Sequence, residues 1–306
     1  MRVLFKPCPT TAALAATLVL SACGGGGDSP AAAPAPVPAP PPTAAMHQQA
    51  VALAEAVYAF GDATMGPIWY GTDVDIKVLA AADVCASGSM TSRLNGAAPT
   101  VGNVLPTGSH TFEATFTACE VMPNTRLTGS ASVAYSAPQS IVTGVTATAT
   151  ASSVRWQGTV TPFAGTTPVA VDYTGNGAMV FTYSETVANN VLTSDGTMRP
   201  QAGATLTSNT TRSTLTWVSG ELREVVLLNA ATFAPTSYTV EYRALTFNVG
   251  NTQVVVDGTL TKTFSGNVMT PGGQATLRVA GATVGTLRFA ADGRLTPTLT
   301  ADVPAF

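Results

Sequence analysis

The sequence predicts an all-β fold, mainly an antiparallel meander in the form of a curved sheet, a sandwich or an open barrel, with one N-terminal amphipathic helix packed on it. Three observations predict this fold class. Beyond Trp69 the chain consists of short runs of alternating apolar and polar residues separated by turn residues. No helical periodicity separates these runs, so most neighbouring strands must be joined as antiparallel hairpins. Finally, 45% of the residues are hydrophobic and only 10% are charged, a balance typical of a β-rich envelope protein.

The first element of the chain is a secretory signal over residues 1–22. Arg2 and Lys6 precede an apolar stretch from Thr10 to Leu20, in the order of a basic n-region and an apolar h-region. A membrane-spanning helix needs about 20 apolar residues. Because the stretch is shorter than this, we interpret it as a signal that is removed.

The signal ends in Leu20-Ser21-Ala22-Cys23, which resembles the lipobox of bacterial lipoproteins. The resemblance implies that the chain is cut before Cys23, that this cysteine is diacylated on its sulfur, and that its new amino group is acylated too. In that family an aspartate after the cysteine retains the protein in the inner membrane. Gly24 stands there instead, so the resemblance implies sorting to the outer membrane, in either leaflet. The alternative is an ordinary cleaved signal followed by an incidental cysteine.

Residues 23–43 contain the lipid anchor and a tether rich in glycine, proline and alanine. Residues 24–42 read GGGGDSPAAAPAPVPAPPP, a composition that cannot bury a core. Alternating alanine and proline favour extended polyproline II, so the tether reaches on the order of 50 Å from the membrane as a spacer.

Residues 44–61 are predicted to form the helix. Thr43 can cap its N-terminus, and Gly61 is expected to end it. The apolar side chains on one face at helical spacing are Met46, Ala50, Leu53, Val57 and Phe60. Because the helix lacks the lysines and arginines that bind anionic headgroups, we expect it to pack on the β-domain rather than to lie on the membrane.

Residues 62–306 are predicted to form the antiparallel β-domain. The strand candidates are Val74–Leu79, His110–Thr117, Arg126–Tyr135, Ile141–Thr150, Val154–Val160, Val169–Tyr173, Ala178–Tyr183, Ser213–Val218, Glu221–Asn229, Tyr238–Val249, Thr252–Phe264, Ala275–Val279, Thr283–Phe289 and Arg294–Leu299.

Three tight connections join these strands as hairpins. Gly250-Asn251 suits a two-residue loop, because both residues tolerate the positive φ that such turns need, and it aligns Arg243 with Gly258. Ser219-Gly220 is predicted to be a second such loop, and residues 290–293 a third.

Charges predict the remaining register of the meander. Placing Arg223 opposite Glu241 also places Glu221 opposite Arg243. Opposite charges across two strands stabilise the pairing by roughly 0.2 to 1 kcal/mol, whereas a shift that aligns the two arginines is repulsive. The result is a four-strand meander over residues 213–264. Because Val225–Leu228 and Val254–Val256 are apolar on both faces, we expect the helix or a second sheet to cover these strands.

The cysteines predict one disulfide. Cys8 leaves with the signal and Cys23 carries lipid, so Cys85 and Cys119 remain as a pair in an oxidising compartment. Closing this loop should stabilise the fold by roughly 3 to 4 kcal/mol on the chain-entropy model. A redox or metal pair is the alternative, but a CxxC spacing and a histidine cluster are both missing.

The remaining residues predict no catalytic site, metal or cofactor. Removing Arg2 and Lys6 leaves 12 basic against 17 acidic residues, a net charge of −5, which offers no basic patch to nucleic acid. We expect His47 to face solvent and His110 to be an exposed residue at a strand edge rather than a catalytic base. Asp73 and Asp75 share a strand face, and we interpret them as solvent-exposed acids rather than as a catalytic pair of carboxylates.

Aromatic residues give the best candidates for a binding contact. Trp69 and Tyr70 lie in a glycine-rich run that is predicted to be a loop, and they could stack on a ligand. Trp156, Trp217 and Tyr242 are more typical of core anchors, Trp217 in particular because it alternates with an apolar residue on its strand.

These features predict a membrane-anchored envelope lipoprotein whose β-domain binds or organises another envelope component without catalysis. Its partners would be the membrane, through the N-terminal lipid, and an envelope protein, glycan or lipid. One alternative is a carrier that holds an apolar ligand between the curved sheet and the helix, in a cavity lined by Leu53, Val57, Val226, Leu228 and Val255. The other is an enzyme acting on cell wall or glycan, for which Asp73, Asp75, Glu113 and Glu120 would have to converge.

Overall fold

A curved antiparallel sheet and the N-terminal helix make up the described part of the chain. The computed structural model describes residues 41–71, 84–100, 108–137, 145–160, 169–266 and 268–306. The predictions made for the signal, for most of the tether and for a strand at Val74–Leu79 lie outside these residues.

The secondary structure has the following bounds. Helix α1 covers Ala44–Gly71. The strands are β1 (Ser89–Leu94), β2 (Gly108–Met122), β3 (Thr125–Ala137), β4 (Val145–Val160), β5 (Val169–Ala188), β6 (Val191–Pro200), β7 (Thr205–Ser208), β8 (Thr214–Asn229), β9 (Pro235–Val249), β10 (Thr252–Ser265), β11 (Val268–Val279), β12 (Ala282–Phe289) and β13 (Leu295–Leu299).

The thirteen strands of the described ranges belong to one antiparallel sheet. Their order runs from β1 to β13 as in the sequence, except that the short β7 lies off this path and pairs with β5 and β8. α1 packs against β2 to β6 and also against β13, at the far end of the order. One helix meets both ends of the sheet because the sheet curves around it. The structure therefore confirms the predicted all-β fold class with a helix packed on the sheet.

The buried face of α1 is the apolar face that the sequence predicts. Leu53, Val57 and Phe60 are fully buried, and the Phe60 ring lies 4.8 Å from that of Trp217 on β8. Thr43 Oγ1 accepts a hydrogen bond from the Met46 N–H at 3.3 Å, which is the predicted N-cap interaction. Trp217 is a core residue, as predicted.

The helix does not end at Gly61 but continues for ten more residues to Gly71. Gly61 is buried, and a Cβ there would lie 3.5 Å from the Met198 sulfur, so the glycine fits a close contact between helix and sheet. A mid-helix glycine costs about 1 kcal/mol relative to alanine, which packing can offset. As a consequence Trp69 and Tyr70, predicted to lie in a loop, lie in the last turn of α1.

Several predicted strand pairs are single long strands that contain a β-bulge. β4, β5 and β8 each unite two predicted strands, and Ser219-Gly220 is a bulge inside β8 rather than a hairpin loop. The pairing register shifts between β2 and β3, β3 and β4, β4 and β5, β8 and β9, and β9 and β10 at positions that follow one another across the sheet. Each bulge increases the local twist and bends its strand. A row of bulges therefore curves the sheet around α1.

The charged residues set the register of β8 and β9 as predicted. Glu221 lies opposite Arg243 and Arg223 opposite Glu241. The Arg243–Glu221 ion pair measures 2.7 Å, and Arg223 also pairs with Asp195 on β6 at 2.6 Å. Such partly exposed pairs contribute little energy individually, but they oppose a shifted alignment.

The Gly250-Asn251 hairpin and the turn at residues 290–293 are confirmed. The predicted alignment of Arg243 with Gly258 is wrong, because a bulge between β9 and β10 places Tyr242 opposite Gly258.

The expectation that both faces of these central strands are covered is wrong for the outer face. Val225, Leu227 and Val255 remain partly exposed there, whereas Val254 and Val256 are buried on the helix side. Strand alternation places Val255 on the face opposite its two neighbours. The outer apolar residues share their face with the Arg223 ion pairs, so this surface is mixed rather than apolar.

The predicted disulfide is confirmed. Cys85 and Cys119 are bonded, with their Cα atoms 5.0 Å apart, and Cys119 is fully buried. The Ala86 N–H donates to the Glu120 carbonyl at 2.8 Å, and the Glu120 N–H donates to the Ser87 carbonyl at 2.9 Å. The disulfide thus links the segment before β1, which contains Cys85, to β2, which contains Cys119.

The row of bulges gives a testable prediction. Gly220 has φ +91°, and a Cβ there would lie 2.3 Å from the Ala244 carbonyl oxygen, whereas Gly203 has φ +85° and open space around the Cβ position. Gly203→Ala should cost about 1–2 kcal/mol for the left-handed backbone alone. Gly220→Ala should cost at least about 2 kcal/mol more, because overpacking is added. Chemical denaturation of the two variants measures the difference, and equal losses would contradict this role of Gly220.

Candidate functional site

A cavity of about 200 Å³ lies between α1 and the inner face of the sheet. Its walls come from α1, β9, β10 and β12, together with the turn that precedes β13. Among its lining residues are Glu55, Tyr58, Tyr238, Tyr242, Lys262 and Phe289. We call it the helix–sheet cavity.

Regular secondary structure places these side chains together. Glu55 and Tyr58 are three residues apart on α1 and so point to the same side. Tyr238 and Tyr242 share the inner face of β9 with Val240, because every second residue of a strand faces the same way. Lys262 lies directly opposite Tyr238 in the β9–β10 pairing. The helix and the strands thus position these side chains.

Glu224 on β8 fixes two of the tyrosines beside the cavity. The Tyr58 hydroxyl donates to Glu224 Oε1 at 2.7 Å, and the Tyr238 hydroxyl donates to the same oxygen. These charge-assisted bonds connect the helix to two neighbouring strands. Burial raises the pKa of both phenols well above the ordinary value, and the Glu224 carboxylate adds to this effect. Both tyrosines therefore stay protonated as hydrogen-bond donors.

Three polar groups of the cavity have no such partner. Among the residues that the structure describes, the Glu55 carboxylate, the Tyr242 hydroxyl and the Lys262 ammonium make no hydrogen bond or ion pair, although all three line the cavity. The Lys262 ammonium lies over aromatic rings instead, 4.0 Å from the centre of the Phe289 ring and 5.1 Å from that of Tyr238. This cation–π arrangement holds the ammonium in place and leaves N–H donors for a further acceptor.

Burial dominates the electrostatics of the cavity. Desolvation raises the pKa of Glu55 to about 7, although the nearby positive charge of Lys262 acts in the opposite direction. Desolvation lowers the pKa of Lys262, opposed by Glu224, Asp292 and Glu55. Both shifts favour the neutral forms, so a ligand group of opposite charge would stabilise the charged form of each residue.

A second concavity, of about 500 Å³, lies on the outer surface beside β3, β4 and β5. Its most constrained group is Asp172, which accepts hydrogen bonds from Arg155, from Asn209 at 2.8 Å and from Gln157 at 3.2 Å. The hydrogen bonds from Arg155 keep the pKa of this carboxyl below its usual value. Because the Asp172 oxygens are already used, the groove offers less to a ligand than the helix–sheet cavity.

The residues that the sequence singled out do not form this site. Trp69 and Tyr70 lie in the last turn of α1 and not in a loop. His110 is buried, contrary to the expected exposure, and its Nδ1 lies 3.2 Å from Asn95 Nδ2. His47 is partly buried at the start of α1.

The candidate acids are not brought together where the structure describes them. Glu113 and Glu120 are both on β2, and seven residues of strand separate them by roughly 23 Å. Asp73 and Asp75 lie outside the described residues. In the described ranges, no group of three or more His, Cys, Asp and Glu side chains is arranged to hold a metal ion.

The sequence carries only a faint signal of the cavity residues. Glu55 is the acid within the alanine-rich and mostly apolar run of residues 50–61, and Lys262 is one of three lysines in the chain. Both are exceptions to their surroundings, which is how a buried functional charge looks in a sequence. Their convergence with Tyr58 and Tyr242 depends on the curvature of the sheet and could not be predicted.

Comparison with protein families, characterised proteins and solved structures finds no match to this chain. In the described residues, no helix combines the length and the apolar character that crossing a membrane requires.

The buried carboxyl gives a pH-dependent prediction. The folded-state pKa of Glu55 is about 7 against 4.5 when exposed, so the folded state binds more protons and loses stability as the pH rises through this window. Glu55→Gln removes this loss. The free energy of unfolding of the variant should match that of the wild type near pH 4.5 and exceed it by up to about 3 kcal/mol at pH 8.

Denaturant titrations from pH 4.5 to 8 check this prediction, with Glu113→Gln on exposed β2 as the control. If the Glu55→Gln and wild-type curves run parallel over the whole range, the raised pKa is refuted.

Proposed function

We propose that this protein is a lipid-anchored binding protein of the bacterial outer membrane, whose β-domain holds a small ligand in the helix–sheet cavity without catalysis. The observation that carries the proposal is the set of three polar groups, Glu55, Tyr242 and Lys262, that face the cavity and are not satisfied by other described residues. Burying such groups costs free energy unless they gain a partner. A ligand that supplies the missing partners explains why the fold keeps them.

Two reactive groups beside the cavity are held as hydrogen-bond donors. The hydroxyls of Tyr58 and Tyr238 are committed to Glu224, and burial raises their pKa, so neither is poised to act as a base near neutral pH. The site resembles a preorganised receptor, in which donors and acceptors are already positioned to bind a complementary molecule.

A polar ligand is favoured over the apolar ligand of the carrier hypothesis. Leu53 and Val57, expected to line an apolar cavity, are fully buried in the packed core. Val255 lies on the outer face. The helix–sheet cavity instead combines charged and phenolic groups with the Phe289 ring, so the ligand would have an apolar part and charged ends.

The lipobox resemblance and the tether support the location. A diacylated Cys23 would hold the protein on the membrane, and the Gly/Pro/Ala-rich tether would place the β-domain on the order of 50 Å away. The domain could then sample ligands in the periplasm or at the cell surface, depending on the leaflet.

The anchor is tested by Cys23→Ala. We expect this variant to lose the lipid mass, to keep its signal uncleaved or cleaved elsewhere, and to leave the membrane fraction, because a thiol is needed for acylation. Intact-mass spectrometry and membrane fractionation measure both effects. Unchanged mass and fractionation would refute the anchor and leave the cavity argument intact.

The binding function is tested on the native lipidated protein. Gentle purification from the envelope followed by native mass spectrometry should detect a small copurifying molecule. Its occupancy should fall in the double variant Glu55→Gln, Lys262→Met, while Glu113→Gln retains it. If no small molecule is retained by wild-type protein, or if retention is the same in all variants, the proposed binding function fails.

A further inference from the structure

The helix–sheet cavity presents opposite charges on opposite walls. Glu55 comes from α1, and Lys262 comes from β10 on the sheet side. The Lys262 ammonium is positioned by the Phe289 and Tyr238 rings rather than by a carboxylate. Tyr242, on β9 between these walls, adds a hydroxyl that can donate or accept. The helix side thus offers one acidic group, and the sheet side offers the Lys262 ammonium, with Arg294 also among the lining residues.

We propose that the ligand is a small zwitterion, in which an ammonium group binds Glu55, an oxyanion binds Lys262, and a short apolar part packs against Phe289. This inference rests on the proposed binding function and specifies its ligand. The Tyr242 hydroxyl completes the site by donating to the oxyanion or accepting from the ammonium.

Other ligand classes leave part of the site unpaired. A simple cation would satisfy Glu55 but would lie near the Lys262 charge without compensating it. A simple anion would pair with Lys262 but would be buried beside the carboxylates of Glu55 and Glu224. A neutral apolar molecule would displace water from all three polar groups and replace none of their hydrogen bonds. Only a molecule with both charges satisfies both walls.

The size of the cavity limits the zwitterion. About 200 Å³ corresponds to the volume of roughly seven water molecules, which is below the usual 300–1,000 Å³ of pockets for drug-sized ligands. A free amino acid fits this limit, and so does the headgroup of a zwitterionic phospholipid. Both sources share an ammonium and an oxyanion on a short linker, and the experiment separates them.

Isothermal titration calorimetry on the full mature protein tests the proposal with matched probes. For the amino-acid source the probes are L-leucine, 3-methylbutylamine, which lacks its carboxylate, and 4-methylpentanoate, which lacks its ammonium. For the lipid source they are glycerophosphoethanolamine and glycerophosphate. We expect one of the two zwitterions to bind at least about tenfold more tightly than the relatives that lack one of its charged groups. The source of the ligand is the one whose zwitterion shows this preference.

Charge-neutralising variants assign the two ends of the ligand. Glu55→Gln should reduce the affinity for the zwitterion to that of the acid lacking the ammonium, and Lys262→Met should reduce it to that of the amine. Glu113→Gln should change nothing. The comparison of probes on wild-type protein needs no variant, so a misfolded variant cannot decide the result.

The outcomes separate the zwitterion from the binding function. If a probe that lacks one of the two charged groups binds as tightly as its zwitterion, the zwitterion is refuted and the binding function stands. If none of the probes binds with a dissociation constant below about 1 mM, the zwitterion is also refuted. In that case the copurification experiment alone decides on the binding function.

Discussion

The structure depends on the row of bulges that crosses the sheet. At Gly129 and Gly220 the backbone of the neighbouring strand approaches to 2.3 Å from where a Cβ would stand, at the carbonyl oxygens of Ser153 and Ala244. Both glycines have positive φ, and so do the two residues that they face. Such contacts are possible only for glycine, and they bend each strand at the same level. Without this bend a sheet of this width would remain open and could not surround a helix.

The curvature decides what the helix can bury. With the sheet wrapped around it, α1 places Leu53 and Phe60 in the core while the other side of the same helix carries Glu55 and Tyr58 toward β9 and β10. A helix on a flat sheet would leave those two side chains in water. Here they are half-buried, and this burial raises the pKa of Glu55 despite the nearby Lys262 charge. The curvature of the sheet therefore forms both the core and the candidate site.

The helix–sheet cavity places charged groups on an inner face that is otherwise mostly apolar. Most inner-face residues are apolar and fully buried, and Glu224 is satisfied by two tyrosine hydroxyls. Glu55 and Lys262 are half-buried and make no hydrogen bond with the described residues, which makes the fold less stable than an apolar substitute would. Proteins keep such exceptions mainly where function needs them. For this reason we place the ligand in the cavity rather than in the larger outer groove.

The sequence by itself determined the elements that depend on local rules. Helical spacing predicted the face of α1, turn chemistry predicted the Gly250-Asn251 hairpin, and charge pairing predicted Arg223 opposite Glu241. The cysteine count predicted the disulfide. Tertiary structure alone decided that Ser219-Gly220 is a bulge and not a turn, because glycine and small polar residues serve both and only the neighbouring strand distinguishes them.

Tertiary structure also decided where the helix ends and which charges meet. Gly61 continues the helix because its missing side chain admits the Met198 sulfur, a contact that no local pattern contains. Glu55 and Lys262 are more than 200 residues apart in the chain, and they share a cavity only because the bulges curve β10 back over α1. Local propensities act over a few residues, whereas the site forms only because the bulges of many strands together curve the whole sheet.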